Sequence, residues 1–452
     1  MSFAANVAAG NVPPQNRHDV TLDQIVQEIT TTDDAKVLND KLRHLSPRES
    51  RDTILSGALT GGQDPLSVLD PERNTIGCLY ILAARLHATP AQAPSMRVVE
   101  EFCSRFTPEH ARLAPERVTQ LTKGIIRLAE SYGKQKHALG ALRDLVTRYP
   151  PDLSYLTTVH TQFISHCVAT RHFSIALPVL SVPIVNIDTN LSELTYNDNL
   201  IYHYAGGIAL GALKMWREAE EFFEICVSAP AQVPAAIQME ALKKLTLVQL
   251  ILYGKTTSLP KYTNQALGRL FRQTPYFRLA DMYPRPQPDL QAFVVKETEV
   301  FNRDQNSGLV QQVLDCAPRW LIRKATQTYL TLGMSDIAKE TGNPNVNENR
   351  SIVLSMIDNG EINGTLSEDD TVTFSETTTN ITKNDIDKAL KNAQEQSSLL
   401  LRLERELYAS REYLVKVLKH KDDGNWAQDD DSVMGMPHLG GSNAWADDSM
   451  FG

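Results

Sequence analysis

The chain is 452 residues long, enough at about 150 residues per domain for roughly three units, with 45 Lys and Arg against 54 Asp and Glu, a formal charge of −9, and 42% hydrophobic residues. That balance belongs to an ordinary folded protein. It excludes a wholly disordered chain, a collagen and a disulfide-framed secreted module, and it argues against a globally basic nucleic-acid binder.

Cys78, Cys103, Cys167, Cys226 and Cys316 are widely spaced and form no CxxC pair, so reduced, mostly buried thiols are expected. Residues 1–12 carry no Lys or Arg ahead of a short apolar stretch, and the most continuous apolar runs, near 204–213 and 245–253, have about half the length that a membrane-spanning helix needs. A cytoplasmic and nuclear location is expected.

Residues 1–18 are small, polar and Pro-containing, the composition of a disordered terminus. From 19 to about 300 the pattern predicts helices of about 12 to 20 residues broken by Pro, Gly or polar clusters. Ile237, Ala241, Leu245, Val248 and Leu252 share one helical face, and Gly254 ends that run. Ala138 with Leu142, Ala176 with Leu180, and Ala219 with Phe223 repeat a small residue followed four positions later by an apolar one, with Pro150 and Pro230 closing the first and third. Their spacing of about 40 residues is that of tetratricopeptide-like helix pairs, in which the small residue lets two helices approach.

Beyond 330 the pattern changes. Leu330, Thr331 and Leu332 form a short extended piece, Ser335 caps a helix that ends at Gly342, and Asn345 with Glu348 opens a second helix closed by Gly360. Two short strands follow over 362–366 and 371–374, with Glu368, Asp369 and Asp370 in the turn. Helix, turn, helix, hairpin is a winged helix, here expected within 301–382. From 383 to 421 a long helix without Pro or Gly carries apolar residues every seven positions at Ile386, Ala393, Leu400, Leu407 and Leu414. A second row at Ala389, Leu403 and Val417 is interrupted by Gln396 and Ser410. The last 31 residues, 422–452, hold seven Asp and no Lys or Arg, an acidic disordered tail. In it Trp426 and Trp445 read either as a docking peptide or as part of an untethered tail.

No catalytic signature emerges. Gly254, Lys255 and Thr256 resemble the end of a phosphate-binding loop, but position 249 is Gln where the leading Gly is required, and the run follows a helix where a strand is needed. His160, His166 and His172 lie six apart; at about 100° per residue, neighbours on one helix point about 120° away from each other and cannot converge on an ion. The His-x-His, Ser and Asp pattern of zinc isopeptidases is missing. Residues 331–382 contain two basic and nine acidic side chains, a net of −7, which disfavours phosphate contacts whatever the fold. No catalytic residue, cofactor or metal is expected.

Helical repeats, a winged helix and a long C-terminal helix, in that order, resemble the PCI-domain subunits of the proteasome lid, the translation initiation factor and the COP9 signalosome. Tyr202-His203-Tyr204, Gly206-Gly207, the string 240–244, Leu247-Val248, the string 250–252, Gly254-Lys255 and the string 259–263 resemble the signalosome's third-subunit family. So do Asp304, Asn306, Gly308-Leu309-Val310, Thr331-Leu332, Asp336-Ile337-Ala338, Met356-Ile357 and Gly360-Glu361-Ile362, of which the last three are common to many PCI domains.

The resemblance implies a non-catalytic scaffold in the complex that removes Nedd8 from cullins and so regulates cullin-RING ubiquitin ligases, with the catalytic zinc on another subunit. It implies other PCI and isopeptidase-type subunits as partners, cullin-RING ligases as candidate contacts, and neither nucleic acid nor membrane. It also places interaction residues: Thr331, Leu332, Val372 and Phe374 at a winged-helix edge, and Ile386, Ala393, Leu400, Leu403, Leu407, Leu414 and Val417 on the C-terminal assembly helix. The competing readings are a scaffold of the proteasome lid or the initiation factor and, from another class, a winged-helix nucleic-acid binder.

Overall fold

The computed structural model describes residues 21–45, 48–88, 92–375 and 382–422. The expectations for 1–18, Trp426 and Trp445 lie outside them. The chain divides after Ser375 into two units.

The first unit is helical from Leu22–Thr31 onward, and its pairing follows the small residues. Ala138, Ala176 and Ala219 are all fully buried, and each lies within the first turn or so of the later helix of a consecutive pair: Pro115–Ser131 with Ala138–Arg148, Thr158–Ala169 with Phe173–Leu180, and Tyr196–Ala212 with Trp216–Ser228. The third pair is the tightest. A methyl group on Gly206 or Gly207 would fall 2.6 or 2.7 Å from the rings of Phe222 and Phe223, so the close crossing needs hydrogen there. Helices are shorter than the pattern predicts in places, with Pro65–Val68 and Pro108–Ala111 spanning four residues each. A parallel strand pair, β1 (Tyr155–Leu156) and β2 (Asn186–Ile187), also joins this region. At two residues each, these strands are too short to show an alternation.

One apolar core runs from Leu22 to Ala317. A second, smaller core gathers Ile322, Met334, Ile337, Val353, Met356, Ile362, Val372 and Phe374. The helix Ser307–Ala325 serves both, giving Val310, Val313, Leu314 and Ala317 to the first and Ile322 to the second. Arg319 on the same helix reaches Glu361 and the Ser355 hydroxyl, so polar bonds accompany the shared packing.

The second core belongs to the winged helix. Met334–Thr341 ends in left-handed Gly342, and the Asn345 side chain accepts from the Glu348 amide to start Val346–Asp358, as those residues predict; Ser335 does not cap the first helix but lies within it, the N-cap being Gly333 with no side-chain bond. β3 (Thr331–Gly333), β4 (Gly364–Leu366) and β5 (Thr371–Phe374) form an antiparallel sheet in the order β3-β5-β4. Thr373 lies opposite Thr331 on one side and Thr365 on the other.

In the second unit the expected single helix is two, Lys383–Ala409 and Arg411–Asp422. Ser410 takes an extended conformation, and its hydroxyl accepts from the Tyr413 amide, which makes it a helix cap rather than a helix interior.

Candidate assembly surfaces

The winged helix presents its residues differently from expectation. Val372 and Phe374 are not at an edge: β5 is the central strand, hydrogen-bonded on both sides, and both side chains are buried in the small core. Thr331 and Leu332 do lie on an outer strand, β3, whose far side pairs with no other strand in its sheet; Thr331 is exposed and Leu332 half-buried. The other outer strand is β4, with Thr365 exposed. Two strand edges are therefore available for strand addition. Beside β3, Leu330 is 77% exposed.

The charge of this subdomain is organised against phosphate. Its two basic side chains are both engaged by neighbouring carboxylates, Lys339 with Asp336 at 2.9 Å and Arg350 with Asp370. Of the remaining acids, Glu368 and Asp369 are exposed in the β4-β5 turn.

The helices of the second unit carry the seven-residue row in the open. Ile386, Ala393, Leu400, Leu403, Leu407, Leu414 and Val417 are all exposed, and no side chain of Lys383–Ala409 is buried. Leu390, Leu401 and Leu418 are exposed as well, so the apolar surface is broader than the row read from the sequence. The break at Ser410 divides the row, leaving Leu414 and Val417 on the shorter helix.

The first unit contains a polar cluster that no local pattern announces. On the Ala236–Tyr253 helix, Lys243 pairs with Glu240 at 2.6 Å and with Asp304 at 2.8 Å, while Lys244 donates to Asn306 at 2.6 Å. The Tyr276 hydroxyl donates to Asp304 and accepts from Asn306. Burial works against the Asp304 carboxylate, but the Lys243 ammonium outweighs it and holds the group below the usual carboxylate range. Burial likewise opposes the Lys243 charge, and its two carboxylate partners reverse that and raise it; Lys244, facing an amide, stays lowered by burial. Every polar group here is matched within the fold, which marks a structural clamp between the repeats and the Ser307–Ala325 helix.

The histidines do not converge. His160 is fully buried with one bond, to the Thr157 hydroxyl, and burial alone pushes its imidazolium down to about 4. His166 bonds the Gln135 carbonyl and His172 that of Thr170. Among the described residues no His, Cys, Asp and Glu group could hold a metal ion. Cys78, Cys103, Cys167 and Cys226 are buried, Cys316 is half-buried and all five are unpaired; burial pushes the Cys78 thiol up to about 12. Gly254 takes the left-handed conformation that ends its helix, and a methyl group there would fall 2.6 Å from Trp320, so the Gly254-Lys255 string caps a helix.

Helical repeats clamped to a winged helix define a PCI-type protein, and residues 279–376 match the PCI domain family. Residues 44–267 match the family described as COP9 signalosome complex subunit 3, N-terminal helical repeats. Among curated relatives, COP9 signalosome complex subunit 3 of Dictyostelium discoideum is 29% identical over 382 residues, covering 81% of this chain and 90% of that protein. The protein of the same name from Drosophila melanogaster is 28% identical over 410 residues, covering 82% and 89%. The chain belongs to the COP9 signalosome subunit 3 family.

Proposed function

We propose that this chain is a scaffold subunit of a COP9 signalosome and performs no catalysis itself. The observation that carries the reading is the pair of family matches, to the third subunit's helical repeats and to the PCI domain, along one continuous fold. Surface chemistry supports it: two open strand edges, two helices with exposed apolar rows, and a winged helix whose cations are spent on its own acids suit contacts with proteins. In this reading the chain holds neighbouring PCI and isopeptidase-type subunits in register while a different subunit supplies the zinc that cleaves Nedd8 from cullins, and it works in the cytoplasm and nucleus.

Affinity purification of the tagged full-length chain tests this. Co-purification of the other signalosome subunits in constant ratio, with cullin deneddylation by the eluate and none by the chain alone, is the expected result. Recovery of proteasome-lid or initiation-factor subunits instead would transfer the scaffold role to those assemblies, and cleavage by the isolated chain would overturn the non-catalytic reading.

A further inference from the structure

Where the helices Ala35–His44 and Arg48–Leu55 meet the start of Pro115–Ser131, a small cleft of about 90 Å³ gathers Arg43, Arg51 and Arg117. Arg51 and Arg117 are buried, 5% and 3% exposed, and their guanidinium groups lie over the Tyr80 ring at 5.9 and 4.6 Å from its centroid. The ring is itself fixed, because its hydroxyl donates to Asn39 Oδ1 at 3.0 Å. Packing against a held aromatic face keeps both guanidinium groups in place.

The two buried cations share a single carboxylate, and one oxygen of it: Arg51 Nε and Arg117 Nη2 reach Asp52 Oδ1 at 3.1 and 2.7 Å. Their other bonds go to neutral acceptors, Arg51 Nη1 to the Arg43 carbonyl and Arg117 Nη1 to the Gln120 side chain. Arg51 Nη2 and Arg117 Nε have no partner among the described residues. Arg43 adds an exposed cation whose side chain is also unpaired among them. Pro115, in the cleft wall, is the first residue of a 17-residue helix, whose amino end adds positive potential. Two acids border the cleft; Glu116 is already engaged, and Glu193 is exposed to water, which screens it. Two buried positive charges on one carboxylate are costly to hold without a further anion.

We infer that this cleft binds one phosphoryl group, as free phosphate or as the phosphoserine of a partner protein, with its oxygens on Arg51 Nη2 and Arg117 Nε and with Arg43 closing the mouth. Size and charge select this ligand. The volume is on the order of that of three liquid water molecules, enough for a phosphate and too small for a nucleotide. The unmatched charge of the buried pair together with Arg43 suits a group carrying about −1.5 to −2, whereas a carboxylate would match only half of it.

The test is isothermal titration of the full chain with inorganic phosphate, with a Gly-Ser peptide carrying one phosphoserine, and with acetate, at matched ionic strength. Phosphate is expected to bind one per chain with a sub-millimolar Kd, at least about tenfold more tightly than acetate. A phosphoserine peptide that binds at least about threefold more tightly than phosphate assigns the group to a partner, and the reverse order assigns it to the free ion. Arg43→Gln should weaken phosphate binding about fivefold without lowering the melting temperature of the unliganded chain, since that side chain makes no bond within it. Arg51→Lys keeps the charge but loses Nη2, and should weaken binding about tenfold; Lys324→Gln, on the Ser307–Ala325 helix, leaves it unchanged. If Arg51→Lys fails to fold, Arg43→Glu replaces it, with a loss of at least about tenfold. No binding of phosphate or the phosphopeptide, equal binding of acetate, or unchanged binding by the Arg43 or Arg51 variants would each overturn the proposal.

Discussion

Lys243 and Asp304 lie 61 positions apart, and each is nearly enclosed, with 11% and 8% of its side chain exposed. Such a pair is costly to break from one side, because the abandoned charge stays where water reaches it poorly. Asp304→Ala is expected to lower stability by about 2–4 kcal/mol, as it strips Lys243 of one carboxylate and the Tyr276 hydroxyl of its acceptor; a urea melt at neutral pH measures it. Because the Asp304 carboxyl is held low, its contribution is complete above the usual carboxylate range and is lost as the pH falls through the folded value. His160 adds a second acid-sensitive contribution at a higher pH. Its folded value of about 4 lies below the ordinary 6.5, so the unfolded chain takes up a proton that the folded chain refuses. Stability is therefore intact above about pH 6.5 and declines toward 4, by about 2 kcal/mol at pH 5. His160→Gln should flatten that interval of the stability profile; an unchanged slope between pH 6.5 and 5 would show that another group titrates there.

At the scale of the element, strand order decides what a substitution does. Thr373 sits in the central strand between Thr331 and Thr365, so Thr373→Pro removes an amide from within the sheet and places a ring that the ladder cannot accommodate. It should unfold the winged helix itself, by about 3 kcal/mol or more, and Phe374→Ala should cost about as much by opening the small core; loss of the folded amide signals of 331–374 is the measurement. A Pro variant that kept the winged helix folded would contradict the strand order. Much of this subdomain was legible because caps and turns are local: Asn345, Glu348, Gly342 and Gly360 announce helix ends within a few residues. Which strand is central was not, since an extended piece upstream and a hairpin downstream fit more than one order, and only the folded register brings Thr331 beside Thr373. The helix break shows the intermediate case. Ser410 already interrupts the second apolar row, and a serine whose hydroxyl bonds a nearby amide serves a cap better than an interior; the absence of Pro and Gly concealed it. The repeats were legible through Ala138, Ala176 and Ala219 for the same local reason, whereas the Lys243 clamp joins residues 61 positions apart, which no periodicity encodes.

Across the whole molecule, apolar surface is distributed unevenly. The first unit gathers buried apolar residues in two cores joined by one helix, while among the described residues of the second no apolar side chain is buried. Leu400, Leu407 and Leu414 are 66%, 53% and 47% exposed, so in the free chain they contribute little to folding. A fully buried Leu is worth about 2 kcal/mol, so covering these three in an assembly would release several kcal/mol before ordering costs. Exposed apolar rows of this extent are costly to carry unless another surface covers them. Leu400→Glu, Leu407→Glu and Leu414→Glu together should therefore shift the melt of the isolated chain by less than about 0.5 kcal/mol per site, yet reduce recovery with partner subunits in a tagged pull-down to the level of the untagged control. The break at Ser410 sharpens the expectation: Leu400 and Leu407 lie on the longer helix and Leu414 on the shorter, so if one continuous surface covers the row, Leu414→Glu alone and Leu407→Glu alone should weaken assembly similarly. A strong effect at Leu407 with none at Leu414 would confine the contact to Lys383–Ala409. Normal assembly of the triple variant would remove the apolar row from the interface altogether.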